Sequence, residues 1–246
     1  MDSDETQELF CMKANPDPND ADRPVALPDL APVLNPAEPI IVPNAPEWPL
    51  APLEYGAYRM IMCDPPWSWA AYSDRGLGRS PQSHYSCMSL DDIKALPISS
   101  LAHPDGAWLW LWATAPMYDF ARECVDAWGA TYSTQGVWVK TTKAGLPAFG
   151  MGHVLRNAHE PYIIARFGRP KVMSRSIRSV IMEQRREHSR KPEAAYRDAE
   201  RLVGPGARMA DVFARQLRLG WDAFGLEADK FGSVQPDLPF NQDIIQ

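Results

Sequence analysis

The residues best suited to chemistry form a short corner after an apolar run. Residues 61–67 read IMCDPPW, so an apparent buried strand runs directly into Asp64, two prolines and Trp67. Because proline has no N–H and a fixed φ, Pro65 and Pro66 leave carbonyl oxygens without competing donors in a stiff conformation. The corner therefore combines hydrogen-bond acceptors with an aromatic ring.

Such a corner suits a planar amine. The lone pair of the exocyclic amine of adenine is delocalised into the ring, which makes the nitrogen a poor nucleophile. A carboxylate and a carbonyl that accept its two hydrogens would localise that pair, and a stacked ring would fix the plane of the base. We predict these roles for Asp64, the Pro65 carbonyl and Trp67, and we expect Trp67 outside the main core. The alternative is a simple turn with a core tryptophan, as for an isolated Asp-Pro pair.

The elements that would position this corner alternate between strands and helices. Apolar runs predict strands at residues 59–63, 107–113, 137–140, 162–167, 179–182 and 209–215. Helical spacing predicts helices at residues 116–128 and 192–202, the second capped by Ser189 or a neighbour. This is the α/β class, a mostly parallel sheet with helices on both faces and ligands at the carboxyl ends of strands. Five tryptophans are expected in the core: Trp108, Trp110, Trp112, Trp128 and Trp138.

Composition divides the chain into three parts. Ten prolines lie between Pro16 and Pro49, so we expect residues 1–50 to form an acidic, partly disordered tail. Residues 51–232 would form the domain and residues 233–246 a second tail. No apolar run has membrane-spanning length and the cysteines lack metal-site spacing, so we expect a soluble, cytoplasmic protein with no membrane partner and no metal.

The net charge of −6 conceals a basic segment. Residues 1–55 hold 11 acids and 2 bases, whereas residues 156–191 hold 10 bases and 3 acids. Either a solvated surface or a loop that faces a polyanion would explain this segment. If a nucleic acid binds, residues 143–152 and 169–186 are the candidate clamps.

Several blocks in a fixed order resemble the MT-A70 family of S-adenosylmethionine-dependent adenine methyltransferases, of bacterial or phage type. After Asp64-Pro-Pro-Trp67 come HYSCMSLDDIKALPI, GAWLWLWAT, WVKT, GHVLRNAHEPYII, HSRKPEAAYRDAERL, DVFAR and GWDAFG. The resemblance covers residues 58–227. It implies a Rossmann-like methyltransferase fold with a permuted motif order, in which the catalytic motif precedes the cofactor strand.

The resemblance also implies roles for individual residues. The catalytic group would be Asp64, Pro65, Pro66 and Trp67. The S-adenosylmethionine contacts would be Asp64, Lys191, Phe213, Arg215, Gln216 and Glu227. The substrate contacts would be Tyr85, Lys140, Glu160 and Ser189, to which the basic segment adds Arg175 and Arg178. The chain departs from the family's eukaryotic pattern at Leu217, Arg218 and Leu226, where asparagine and histidine side chains are replaced.

The expected activity is methyl transfer from S-adenosylmethionine to the exocyclic amine of adenine in nucleic acid. DNA is the favoured substrate, because the single compact domain resembles bacterial and phage members of the family. RNA adenosine methylation and a catalytically silent nucleic-acid-binding scaffold are the alternatives. Methylation of a small molecule or a protein amine is a third interpretation, in which the basic segment has no role. The resemblance also allows for a homodimer or a related partner subunit.

Overall fold

The computed structural model describes residues 48–67, 87–150, 154–187 and 190–234. The strands are β1 (Met60–Cys63), β2 (Ala107–Trp112), β3 (Thr131–Thr141), β4 (His159–Phe167), β5 (Val180–Gln184), β6 (Met209–Val212), β7 (Leu217–Arg218), β8 (Trp221–Phe224) and β9 (Ser233–Val234). The helices are α1 (Leu90–Lys94), α2 (Tyr118–Ala127) and α3 (Glu193–Val203), with 3₁₀ turns at Ile98–Leu101 and Ala115–Met117. None of the helices in these ranges is long and apolar enough to span a membrane.

Seven strands form one sheet in the order β5-β3-β4-β2-β1-β6-β8. All neighbours pair in parallel except β4, which runs antiparallel to both β2 and β3. The parallel strands therefore end at the edge where β4 begins. We call this the carboxyl edge and the opposite one the amino edge. A separate parallel pair joins β7 to β9.

The two faces of the sheet carry different cores because side chains alternate along each strand. On one face, Ile61, Leu109 and Ile163 pack under α1 and α2. On the other face, α3 covers an aromatic core through Ala195 and Ala199. This arrangement confirms the α/β class with helices on both faces.

The aromatic core contains much of the tryptophan content. Trp110 stacks on Tyr162 with ring centroids 4.3 Å apart, and Tyr162 also contacts Trp112 edge-on at 5.2 Å. Gly136 lies opposite Tyr162, and a Cβ at this position would come within 2.3 Å of the tyrosine ring. All five tryptophans expected in the core are buried.

All six predicted strands are present, with differences at their ends. β3 begins at Thr131, six residues before the predicted start at residue 137. The sequence did not predict these residues as a strand because the first five are exposed, polar or aromatic, and form no apolar run. β6 ends at Val212 rather than Arg215, because Phe213 has a φ of +67° and leaves the extended conformation. Leu50, expected in the N-terminal tail, is fully buried against the first core.

Helix α3 begins without a side-chain cap of its own. Pro192 occupies the N-cap position, and Ser189, one expected cap, lies outside the described residues. The carboxylate of Glu183 on β5 instead accepts the backbone N–H groups of Glu193 (2.9 Å) and Ala194 (3.0 Å). A negative charge here also complements the helix dipole. The start of α3 is therefore fixed from a neighbouring strand.

We predict that Glu183→Ala lowers the free energy of unfolding by about 1–2 kcal/mol, because it removes both acceptors at the helix start. Glu183→Gln keeps one acceptor oxygen and should lose less. Urea denaturation of the two variants and the parent measures the difference. Equal stability of all three proteins would show that Glu183 does not anchor α3.

Candidate active site

Asp64 lies where β1 ends, and backbone hydrogen bonds fix the corner around it. Its N–H donates to the Val212 carbonyl of β6 (3.2 Å). The Pro65 carbonyl accepts the Trp67 N–H (2.8 Å), and the Pro66 carbonyl accepts the N–H of Met88 (3.1 Å). The Pro65 carbonyl therefore keeps one lone pair for another donor.

The Asp64 carboxylate belongs to a chain of four alternating charges. Lys191 Nζ lies 2.8 Å from Asp64 Oδ2 and 2.6 Å from Glu160 Oε1. The other oxygen of Glu160 lies 2.7 Å from Lys140 Nζ. Glu160 reaches this site because antiparallel β4 begins at the carboxyl edge, where β1 and β3 end. The four side chains together have no net charge.

Burial and pairing set the protonation of this chain. Lys191 and Glu160 are each only 8% exposed. Burial raises the pKa of Asp64 above its ordinary value, and the attraction of Lys191 offsets this only in part. Burial would also raise the pKa of Glu160, but the ammonium groups of Lys191 and Lys140 lower it to about 2. Burial disfavours the charge on Lys191, yet the two carboxylates outweigh it and raise the pKa of this lysine.

Aromatic rings lie beside both lysines, but Trp67 is not one of them. Lys191 Nζ is 5.3 Å from the Trp112 ring centroid, and Lys140 Nζ is 4.9 Å from that of Trp138. Trp67 is 6% exposed, packs in the core beneath α1 and α2, and donates its indole N–H to the Trp112 carbonyl (3.2 Å). The expectation that Trp67 lies outside the core is therefore wrong. In this structure its ring packs in the first core, and its indole N–H joins the corner to β2.

A cleft opens beside Asp64 at the carboxyl edge. Its walls contain three cationic side chains, two carboxylates and two phenylalanine rings among the lining residues Met62, Asp64, Trp112, Arg190, Lys191, Tyr196, Asp211, Phe213, Ala214, Arg215, Gln216 and Phe231. Five of the six predicted cofactor residues line it. The sixth, Glu227, lies 3.8 Å from Arg215 and also pairs with Lys230.

The wall that follows β6 requires an unusual backbone. Phe213 adopts a positive φ, after which Ala214 bonds to the Phe224 carbonyl through its N–H (2.9 Å). A Cβ on Gly225 would lie 2.6 Å from the Ala214 oxygen, so glycine permits this close approach. Arg190 Nε donates to Gln216 Oε1 (3.0 Å) across the cleft. The strand end and the loop before α3 are thereby joined.

The cleft suits S-adenosylmethionine in its charges. Lys191, Arg190 and Arg215 supply cations for a carboxylate, and Asp64 supplies an anion for an ammonium or a sulfonium. Phe213 and Phe231 supply apolar surface for a purine. The side chains present therefore fit this cofactor.

Asp211 is a cleft residue that the sequence analysis missed. It is 4% exposed, and its Oδ2 accepts the hydroxyl hydrogen of Tyr196 (2.9 Å). Burial raises the pKa of Asp211 to about 7, and Asp64 adds to the rise while Tyr196 opposes it. Burial also raises the pKa of Tyr196 well above its ordinary value, so the phenol remains the donor. An acid inside the apolar segment MADV was the available signal.

The other predicted substrate residues do not all meet at this site. Lys140 and Glu160 join the charge chain, whereas Tyr85 and Ser189 lie outside the described residues. Arg175 and Arg178 lie between the end of β4 and the start of β5, at the amino edge. The structure therefore places these two arginines at the opposite edge of the sheet from Asp64. Candidate clamp 169–186 is divided between the two edges.

The sheet and the cleft define a Rossmann-like methyltransferase fold, in which the corner at Asp64 precedes the strand that leads into the cleft wall. The chain belongs to the MT-A70 family, which matches residues 58–227. The resemblance seen in the sequence is thus confirmed at the level of the family.

Several eukaryotic proteins are similar to the chain. One is "N(6)-adenosine-methyltransferase MT-A70-like" of Arabidopsis thaliana, 30% identical over 69% of this chain and 24% of the relative. Another is "N(6)-adenosine-methyltransferase catalytic subunit METTL3" of Homo sapiens, 26% identical over 78% of this chain and 33% of the relative. A third is "N6-methyladenosine RNA methyltransferase MTA1" of Pyricularia oryzae, 31% identical over 68% of this chain and 46% of the relative.

These relatives bear on two finer expectations. The chain spans about a quarter to a half of their lengths. They are eukaryotic, so they give no support to a bacterial or phage type. Their names refer to adenosine and, in one case, RNA, so they give no support to a DNA substrate.

We predict that Lys191→Met lowers the free energy of unfolding by about 3 kcal/mol at pH 7, because it leaves two buried carboxylates without their shared cation. Cofactor affinity, measured by calorimetry, should fall as well. Lys140→Met is the matched control: the Lys140 side chain is 32% exposed, and Glu160 keeps Lys191, so the loss should be smaller. Equal losses would contradict a central role for Lys191.

A second prediction concerns Asp211→Asn, which removes a titrating group and keeps a hydrogen-bond acceptor for Tyr196. The pKa of Asp211 is about 7 in the folded protein and near its ordinary value of 3.8 in the unfolded chain. Between these two values, Asp211 is protonated in the native state and ionised in the unfolded state. Native stability therefore decreases as pH rises from about 4 to 7. The variant should gain thermal stability over the parent at pH 8, and this gain should shrink towards pH 5. Asp126→Asn, at a carboxylate that is 72% exposed, is the control. A difference independent of pH would contradict the assignment.

Proposed function

We propose that the chain is an S-adenosylmethionine-dependent methyltransferase that modifies N6 of adenosine in RNA. The observation that carries this proposal is the Asp64 carboxylate, held by buried Lys191 at the junction of the acceptor corner and the cleft. Membership of the MT-A70 family supports the activity and the cofactor. The names of the relatives support RNA over DNA.

The acceptor groups are arranged for the amine of adenine. Lys191 occupies Oδ2 of Asp64, which leaves Oδ1 to accept one hydrogen of that amine. The Pro65 carbonyl has one lone pair left for the second hydrogen, since Trp67 uses the other. Both acceptors are fixed by β1 and the prolines, so little reorganisation is needed when the amine becomes nucleophilic.

Bound S-adenosylmethionine supplies the electrophilic methyl group. Transfer of that methyl group to the amine nitrogen would leave the nitrogen with one proton to lose. Asp64 is placed to receive that proton, and burial, which raises the pKa of its carboxyl group, favours this transfer. Lys191 opposes this rise in pKa and so favours the ionised carboxylate before the proton arrives.

A catalytically silent scaffold is the second candidate function. It would need the nucleic-acid surface but not the acceptor corner. The paired Asp64 and Lys191 and the Pro65 carbonyl favour activity, because a scaffold does not need hydrogen-bond acceptors positioned beside a cleft.

The test is tritiated methyl transfer from S-adenosylmethionine to RNA, single-stranded DNA and duplex DNA in parallel. We expect RNA to be the preferred acceptor and Asp64→Asn to lower turnover by about 100-fold or more, since it removes the charged acceptor. Asp126→Asn makes the same chemical change at an exposed helix position and should retain parental turnover.

Each result has a distinct meaning. Transfer to DNA alone would contradict the proposed substrate. Near-parental turnover of Asp64→Asn would contradict the mechanism. Cofactor binding by the parent without transfer to any of the three acceptors would support the scaffold.

A further inference from the structure

The connection from β4 to β5 is the most one-sided charged segment of the described chain. Residues 168–179 contain four bases and no acid. The side chains of Arg169, Lys171, Arg175 and Arg178 are exposed. None of the four pairs with a carboxylate within 4 Å among the described residues. We call this segment the basic loop.

The backbone of the basic loop is firmly attached to the amino edge. Trp108 donates its indole N–H to the Lys171 carbonyl (3.0 Å), and the Met173 N–H donates to the Leu202 carbonyl (2.9 Å). Arg201 donates to the Ser176 hydroxyl (2.8 Å). A Cβ on Gly106, at the start of β2, would come within 2.6 Å of the Pro170 nitrogen. The loop therefore presents its cations from a fixed backbone.

Among the described residues, many cations at the carboxyl edge already form ion pairs with carboxylates. Six of them pair with carboxylates: Lys140, Arg186, Arg190, Lys191, Arg215 and Arg218. The charge chain around Asp64 is itself neutral. Since RNA affinity comes largely from cations that neutralise phosphates, the four cations of the basic loop would add to the few exposed ones that remain at this edge, such as Lys143 and Arg185.

We propose that the basic loop is a second RNA-binding surface, which holds the phosphate backbone of a strand whose adenosine lies at the carboxyl edge. Three of its four cations are arginines, which bind phosphate with two parallel hydrogen bonds. This inference rests on the proposed function for its ligand. β4 connects the two edges and contains nine residues, so the loop lies about 25 Å from the acceptor corner.

This separation predicts a dependence on RNA length. A strand of about three nucleotides is too short to reach both surfaces, whereas one of about 20 nucleotides can contact both. The basic loop should therefore strengthen the binding of long RNA and contribute little to that of short RNA.

The experiment uses the full chain with Arg175→Gln and Arg178→Gln combined. For long single-stranded RNA, fluorescence anisotropy should show roughly tenfold weaker binding, and the slope of log K against log salt should flatten by about 1.4, or 0.7 for each lost phosphate contact. For the short RNA, KM in the methyl-transfer assay should change by less than about twofold.

The matched control is Lys94→Gln combined with Arg122→Gln. It removes the same charge from the face of α1 and α2, where Lys94 pairs with Glu123 and Arg122 lies near Asp126. This control should leave the salt slope unchanged. Circular dichroism of both double variants checks that the fold is retained.

Two outcomes would overturn the inference. The first is an equal salt slope for the parent and the loop variant. If carbodiimide also cross-links Lys171 to an acid within residues 1–47, the basic loop would be assigned to the chain's own acidic segment. The second is an equal loss for short and long RNA, which would place the effect at the acceptor corner. Failure of the proposed function is distinguishable, because it abolishes methyl transfer by the parent and leaves the binding measurement intact.

Discussion

The buried ammonium of Lys191, held between the carboxylates of Asp64 and Glu160, is the interaction on which the site depends. Two carboxylates that face one another in a buried site cannot both stay ionised without a cation between them. Lys191 supplies this cation and keeps one oxygen of Asp64 occupied. The acceptor geometry of the corner therefore depends on the position of Lys191, which lies just before α3.

The position of Lys191 depends in turn on how α3 begins. Lys191 directly precedes the N-cap residue of α3, and Glu183 holds the first N–H groups of that helix. Glu193, in the first turn, receives both Arg186 and Arg218. The helix start is therefore fixed from β5, from the loop after β5 and from the segment after β6.

These contacts continue beneath the cleft. The guanidinium of Arg218 lies 3.8 Å from the Tyr196 ring centroid, and Tyr196 donates to Asp211 on β6. The chain departs from the family's eukaryotic pattern at Arg218. Its contacts with Glu193 and Tyr196 suggest a physical reason: here the cation supports the cleft floor instead of lining the cleft. The pocket and the acceptor corner therefore share one set of supports.

The sequence was informative wherever the signal is local, and less so where the structure depends on pairing between distant segments. The strand before Asp64 and the tryptophan-rich strand β2 followed from apolar runs. The direction of β4, which brings Glu160 to Asp64, depends on its neighbours and left no local pattern. Trp67 was misplaced for the same reason, since its burial depends on contacts with α1, α2 and β2. The helix cap from Glu183 is likewise a contact between separate elements.

The basic segment shows how contiguity in sequence can conceal separation in space. Residues 156–191 form one basic run, yet β4 and β5 carry its parts to opposite edges of the sheet. The separation has a chemical rationale. Lys191 and Arg215 already lower the pKa of the Asp64 carboxyl group, and each added cation would lower it further and weaken its capacity to accept a proton. Cations that hold an RNA backbone serve best at a distance from such a corner, and the amino edge of a sheet provides that distance on a rigid support.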